Sequence, residues 1–254
     1  MLMADLIKET LAEFANEVMV KDSGYEIIVK KGCRSVSVRG HPRLHFSTGF
    51  WAQGVEYFGG EADSTEVAPS IIAFLVEKAS LGAMASRFPW FKPEETGLAH
   101  ERGPAEYVSH AWSGIEEGWS DGMSRHYPLA SCTLVPLIQE ASKRPELRQL
   151  FPFTSHFSLH FSRTTGYPFS RDCPYAEPVG KGLYGKGLFW RIKRLMRGLY
   201  RVTSANGTVL CAKVDVIHAV DTLVAALPPN CGPAVNGTAD DTPLNGEMGT
   251  RTTK

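Results

Sequence analysis

Two turn signals set most of what this chain can fold into. Asn206-Gly207 lies between the β-rich runs 200–204 and 208–213, and Asn-Gly is the strongest short signal for a tight hairpin because both residues tolerate positive φ. A two-residue loop there pairs Val202 with Cys211 on one face, so Cys211 reads as structural. Lys30, Lys31 and Gly32 separate the β-rich runs 25–29 and 35–38 in the same way, and a further strand is expected near 55–58. Tight hairpins join antiparallel strands, whereas parallel strands need long crossovers. The clearest strand is 156–163, which alternates strictly: Phe157, Leu159 and Phe161 face one way and His156, Ser158, His160 and Ser162 the other.

Between these runs the apolar period changes from two to about 3.6. Leu6, Ile7, Leu11, Phe14 and Val18 make one stripe over residues 5–18. Asp63 followed by Glu66 has the form of a capping box, and Val67, Ile71, Leu75 and Ala79 continue it as a buried helix. Helical spacing recurs over 81–88, 105–115 and 134–142. Asp215 is placed to cap a last helix carrying Val216, Val220, Leu223, Val224 and Leu227, ended by Pro228 and Pro229, with His218 on its outer face.

These elements predict an α+β fold: an antiparallel or mixed sheet covered by four or five amphipathic helices. A hairpin followed by a capped helix occurs around 25–79 and again around 199–227, which predicts two similar halves sharing a sheet. One domain is expected over residues 1–235, with its best internal boundary in the Gly- and Ser-rich stretch 117–128. From Asn236 to Lys254 the chain has almost no large apolar residue, so a disordered tail is expected.

With 254 residues, 43% of them apolar, the chain can bury about three-quarters of its unfolded surface without covalent staples. It offers no unbroken apolar run of bilayer length and no cleavable leader pattern, so it is expected to be cytoplasmic and not transmembrane. Its five cysteines, Cys33, Cys132, Cys173, Cys211 and Cys231, contain no C-x-x-C pair. Neither a disulfide framework nor a metal cluster is suggested, and they read as free thiols. The formal net charge is zero, yet Lys181, Lys186, Arg191, Lys193, Arg194, Arg197 and Arg201 fall in one stretch without an acid. The remainder is therefore net acidic, which makes nucleic acid a poor partner for the chain as a whole.

Residues 180–186 match the first seven positions of a phosphate-binding P-loop. Gly187 stands where Ser or Thr would hold magnesium, and Pro178 spoils the preceding strand. The G-x-G-x-x-G within it lacks the acidic partner about 20 residues on, and Gly-Lys-Gly-Leu repeats directly at 180 and 185, so local duplication explains the motif. Beyond it, Leu188, Phe189, Ile192, Leu195, Met196 and Leu199 line one side of a helical wheel. Arg191, Lys193, Arg194 and Arg197 line the other. A basic helix over 183–198 suits an anionic membrane surface or an acidic protein partner, although most amphipathic helices cover their own core.

No complete catalytic constellation is present. His100-Glu101 begins like a zinc-protease helix, but Gly103-Pro104 interrupts it and the next histidine is His110. No G-x-S-x-G elbow occurs. The best set for acid–base chemistry is His156 or His160 as general base with Arg163 and Asp172 nearby, against the plainer reading of a polar outer strand face. Phe88, Trp90 and Phe91 suit either an apolar pocket or a plug at the core edge. No cofactor is indicated.

Several stretches carry a resemblance: 35–40 (SVSVRG), 66–68 with 87–89, 145–156 (PELRQLFPFTSH) running into 161–169 (FSRTTGYPF), and 227–238 (LPPNCGPAVNGT). Together they resemble a bacterial domain family of unknown function that carries the label "natural product biosynthesis protein", over most of residues 25–240. The resemblance implies a setting in bacterial secondary metabolism and brings no reaction, cofactor or site residue. It also implies that residues 183–198 are an insertion between 178–180 and the strand at Tyr200. The expected function is a non-catalytic accessory or binding domain. The alternatives are a small-molecule modifying enzyme with a histidine-based site, and a protein that docks on a membrane or acidic partner through the basic helix.

Overall fold

A computed structural model describes residues 3–40, 46–122, 128–179, 198–229 and 231–241. The chain divides into two compact units, residues 1–103 and 104–254. The division falls at Gly103-Pro104, where Gly103 takes φ 121°, and not in the 117–128 stretch. Residues 117–122 of that stretch instead continue helix α5 (Pro104–Glu117) into a π turn at Gly118–Gly122.

The first unit holds a five-stranded antiparallel meander in chain order: β1 (Met19–Asp22), β2 (Glu26–Lys31), β3 (Arg34–Gly40), β4 (Phe46–Ala52) and β5 (Val55–Ala62). The β2–β3 hairpin closes at Lys31 opposite Arg34, with Gly32 at φ 57° in its two-residue loop. Ile27, Val29, Val36, Val38 and Phe50 present one buried face. A bulge between β4 and β5 turns both Tyr57 and Phe58 inward, which regular alternation forbids.

Helix α1 (Met3–Thr10) precedes the sheet and is shorter than its apolar stripe, passing into a 3₁₀ turn at Ala12–Phe14. Helix α2 (Ser64–Ile71) starts as expected, with the Asp63 carboxylate accepting from the Thr65 N–H at 2.9 Å, and widens into a π turn at Ile72–Val76. Its closing carbonyls are held by Arg34, which donates to Phe74 O and Ala79 O while its guanidinium lies 4.7 Å over the Phe74 ring. Helices α3 (Leu81–Arg87) and α4 (Glu95–Arg102) complete the unit. Phe91 meets Phe50 at 5.1 Å and Phe58 at 4.7 Å, and Phe88 is buried with it. The aromatic loop is thus a core plug.

The second unit holds its own antiparallel meander: β6 (Phe151–Ser155), β7 (Ser158–Ser162), β8 (Tyr175–Pro178), β9 (Tyr200–Thr203) and β10 (Val209–Val214). The α+β fold is present with antiparallel ladders, but each unit has a separate sheet where one shared sheet was expected. Helices α5, α6 (Pro128–Ala141), α7 (Pro145–Arg148) and α8 (Val216–Ala225) supply the helical layer. Trp112 is fully buried and donates to Leu150 O, and the Tyr200 hydroxyl donates to Thr133 O. Asp215 caps α8 by accepting from the His218 N–H at 2.9 Å.

Candidate functional site

The four side chains expected to carry acid–base chemistry all fall in the second unit, around β6, β7 and the loop after them. The strand read as 156–163 is shorter: β7 begins at Ser158, and His156 and Phe157 form the two-residue turn, at φ 50° and 64°. Positive φ at both central residues is what a tight hairpin requires, here met by residues that take it at a cost. His156 is therefore exposed on a hairpin tip, with Nδ1 3.1 Å from the Ser155 hydroxyl. It does not share a strand face with His160.

His160 lies at mid-strand opposite Phe153. Its ring is stacked between Phe153, at 5.1 Å and 20°, and Tyr175, at 4.6 Å and 17°. Phe169 extends the stack at 4.6 Å from Phe153, and the exposed Tyr167 meets Phe169 edge-on at 5.8 Å. Rings stacked across neighbouring strands stand on the sheet with their faces against one another. Such a ladder welds strands together and leaves ring edges, rather than ring faces, for a ligand.

Arg163 and Asp172 do meet. The guanidinium donates to Asp172 Oδ2 at 3.0 Å from a site that is 12% exposed on the arginine side. Asp172 Oδ1 is buried with no hydrogen-bond partner. Beside the pair, Ser162, Thr164 and Ser170 form a buried hydroxyl knot: Ser162 Oγ donates to Thr164 O at 2.6 Å and accepts from the Ser170 N–H at 3.0 Å, and Ser170 Oγ accepts from the Arg163 N–H at 2.8 Å. This knot folds the loop back so that residues 170–173 return next to Arg163.

Residues 234–239 then run alongside that loop. Val235 N–H donates to Arg163 O, Thr165 N–H to Val235 O, Gly166 N–H to Gly237 O and Ala239 N–H to Pro168 O, while the Thr165 hydroxyl donates to Asn236 Oδ1. Residues 236–241, expected to open the disordered tail, are thereby tied down as far as they are described. The same return brings Cys231 to Cys173, with the two sulfurs 4.0 Å apart. Sequence reading missed this pair because 58 residues separate its members and neither has a local motif.

Elsewhere, His100 is buried, with Nδ1 2.8 Å from the Tyr57 hydroxyl, and burial lowers its pKa to about 4. Glu101 accepts from the Leu81 N–H at the start of α3. Both are structural groups of the first unit. Two depressions of about 320 and 280 Å³ lie in that unit, lined around Val18, and none of the four expected residues borders them.

Among the described residues no three His, Cys, Asp or Glu side chains gather as a metal site requires, and no helix is long and apolar enough to cross a membrane. Arg191, Lys193, Arg194 and Arg197, with residues 183–197 of the expected helix 183–198 and the near-P-loop 180–186, lie outside the described residues. Arg201, the last cation of that stretch, pairs with the buried Glu177, which also accepts from the Ser158 hydroxyl.

No characterised protein and no solved structure matches the chain. The model of a family of unknown function (DUF6193) matches residues 107–238. This span takes in the sheet of the second unit with its aromatic ladder, the Arg163–Asp172 pair and both facing cysteines, and leaves the first unit outside. The chain therefore belongs to the DUF6193 family.

Proposed function

We propose that this chain is a cytoplasmic, non-catalytic accessory or binding domain that serves bacterial secondary metabolism, the setting its resemblance implies. One observation carries the reading: the groups available for acid–base chemistry do not converge. His160 has both ring faces covered, His156 stands on an exposed turn, and the Arg163 guanidinium is engaged by Asp172 Oδ2. A general base must reach a substrate proton within hydrogen-bond distance, and an arginine already paired with a carboxylate has little charge left for a substrate anion.

Thermal unfolding against nucleotides, divalent metals, acyl carrier proteins and anionic vesicles tests this. A ligand of the native state at 100 times its Kd adds about 2.7 kcal/mol of stability. A shift with a carrier protein and none with small molecules supports the reading; turnover of any compound in the panel refutes it.

A second reading rests on the acid-free run of cations from Lys181 to Arg201: docking on an anionic surface through Arg191, Lys193, Arg194 and Arg197. Each basic residue near an anionic bilayer contributes about 1 kcal/mol. Replacing Arg191, Arg194 and Arg197 with Ala should abolish co-sedimentation with phosphatidylserine vesicles; unchanged binding removes the reading.

A further inference from the structure

The facing cysteines have a chemistry that neither a binding role nor the family assigns. Two sulfurs 4.0 Å apart need close by only about 2 Å to reach disulfide length. Neither sits on a free segment. Cys173 follows Asp172, whose carboxylate is fixed by Arg163, and it is buried. Cys231 donates its N–H to Pro228 O, and its carbonyl accepts from Gln149 Nε2 at 3.2 Å. The two thiols also differ in environment: Cys231 is only half-buried, so it is the one a small solute can reach.

We propose that Cys231 and Cys173 form a hydroperoxide-oxidised dithiol site, with Cys231 as the attacking sulfur and Cys173 as the resolving one. The two thiols are also electronically unequal. A hydrogen bond from Cys173 and the nearby Arg163 guanidinium lower the Cys231 pKa against the opposing effect of burial. That same hydrogen bond, together with burial, drives the Cys173 pKa far upward. Of the two, Cys231 is therefore the thiol that more readily gives up its proton to become the thiolate, the nucleophilic form.

The chemistry balances in two steps. The Cys231 thiolate attacks one peroxide oxygen, an S–O bond forms, the O–O bond breaks, and hydroxide (or an alkoxide) leaves and takes a proton. Cys231 is then a sulfenic acid. The Cys173 sulfur attacks the Cys231 sulfur, the S–S bond forms, the S–O bond breaks, and water leaves with the Cys173 proton. Two thiols supply two electrons, hydrogen peroxide is reduced to two waters, and a low-molecular-weight thiol can reverse the bond by exchange.

The test treats the reduced full-length chain with hydrogen peroxide, then counts free thiols after unfolding and maps cross-linked peptides without reduction. The expected result is a loss of two thiols from the five present, with Cys173 joined to Cys231 before the exposed Cys33 and Cys132 are consumed. In Cys173→Ser, and in Cys173→Ala should the serine variant fold poorly, the sulfenic acid cannot be resolved, and dimedone should label Cys231. In Cys231→Ser, dimedone should leave Cys173 unlabelled. Oxidation of Cys33 or Cys132 without a Cys173–Cys231 link overturns the proposal, as does labelling of Cys173 in place of Cys231.

Discussion

Acidification should destabilise the first unit through His100. The imidazole is 1% exposed and meets the Tyr57 hydroxyl at 2.8 Å, and burial lowers its pKa from 6.5 to about 4. The fold therefore prefers the neutral ring. Between those two values the unfolded chain binds more protons than the folded one, so stability falls as pH falls. Linkage with these values gives a loss of about 2 kcal/mol by pH 5 and about 3 kcal/mol by pH 4. The slope fades above pH 6.5 and is nearly gone by about pH 7.5. The assay is urea unfolding of the wild type and of His100→Gln at about pH 7.5, 6.5 and 5. Gln keeps a polar partner for Tyr57 without titrating, so the variant should start less stable but lose about 2 kcal/mol less on acidification. Equal losses in the two proteins would refute the argument.

Three stability predictions follow from equally local geometry. A Cβ on Gly97 would stand 2.9 Å from Tyr57 Cα and 3.0 Å from Tyr57 O. Backbone cannot yield there, so Gly97→Ala should lower stability by about 1 kcal/mol or more despite its better helix propensity, read as a lower urea midpoint. Asp215→Ala removes the carboxylate that caps the start of α8 and should cost about 1 kcal/mol; an unchanged melting temperature would deny the cap its role. His156→Asn keeps the turn while easing its positive φ, and should raise stability by about 0.5 to 1 kcal/mol, measured by denaturant midpoint.

Periodicity carries the class of the fold, because each element announces the face it must bury. The stripe after Asp63, the stripe after Asp215 and the alternation of Leu159 and Phe161 are each visible in isolation. The structure buries Val67, Ile71 and Leu75 of the first, Val220 and Leu223 of the second, and both strand residues, while Ala79 falls beyond the helix and Val216, Val224 and Leu227 are half-buried. β1 and β4 escaped because Met19–Asp22 is a four-residue run without alternation and Phe46–Ala52 mixes Ser, Thr and Gly. Their strand character comes from partners already in the sheet. The Asn206-Gly207 hairpin shows how a correct pairing can hide a different loop. Gly207 closes a three-residue loop by donating to Ser204 O, which pairs Val209 with Thr203. A bulge at Leu210 then restores the expected match of Cys211 with Val202.

The candidate sites divide along the same line. His156, His160, Arg163 and Asp172 were legible as polar groups close together in sequence, and Arg163 with Asp172 do form a pair. What each can do was settled by neighbours that spacing does not reveal: the rings of Phe153 and Tyr175 around His160, and the turn that lifts His156 out of β7. The sequence by itself determined the capped helices and the hairpin turns, because hydrophobic period, turn residues and caps act over a few residues. Only the tertiary structure decided that two meanders form separate sheets and that Cys173 meets Cys231. Contacts between residues far apart along the chain depend on how whole elements pack, and no local pattern encodes that.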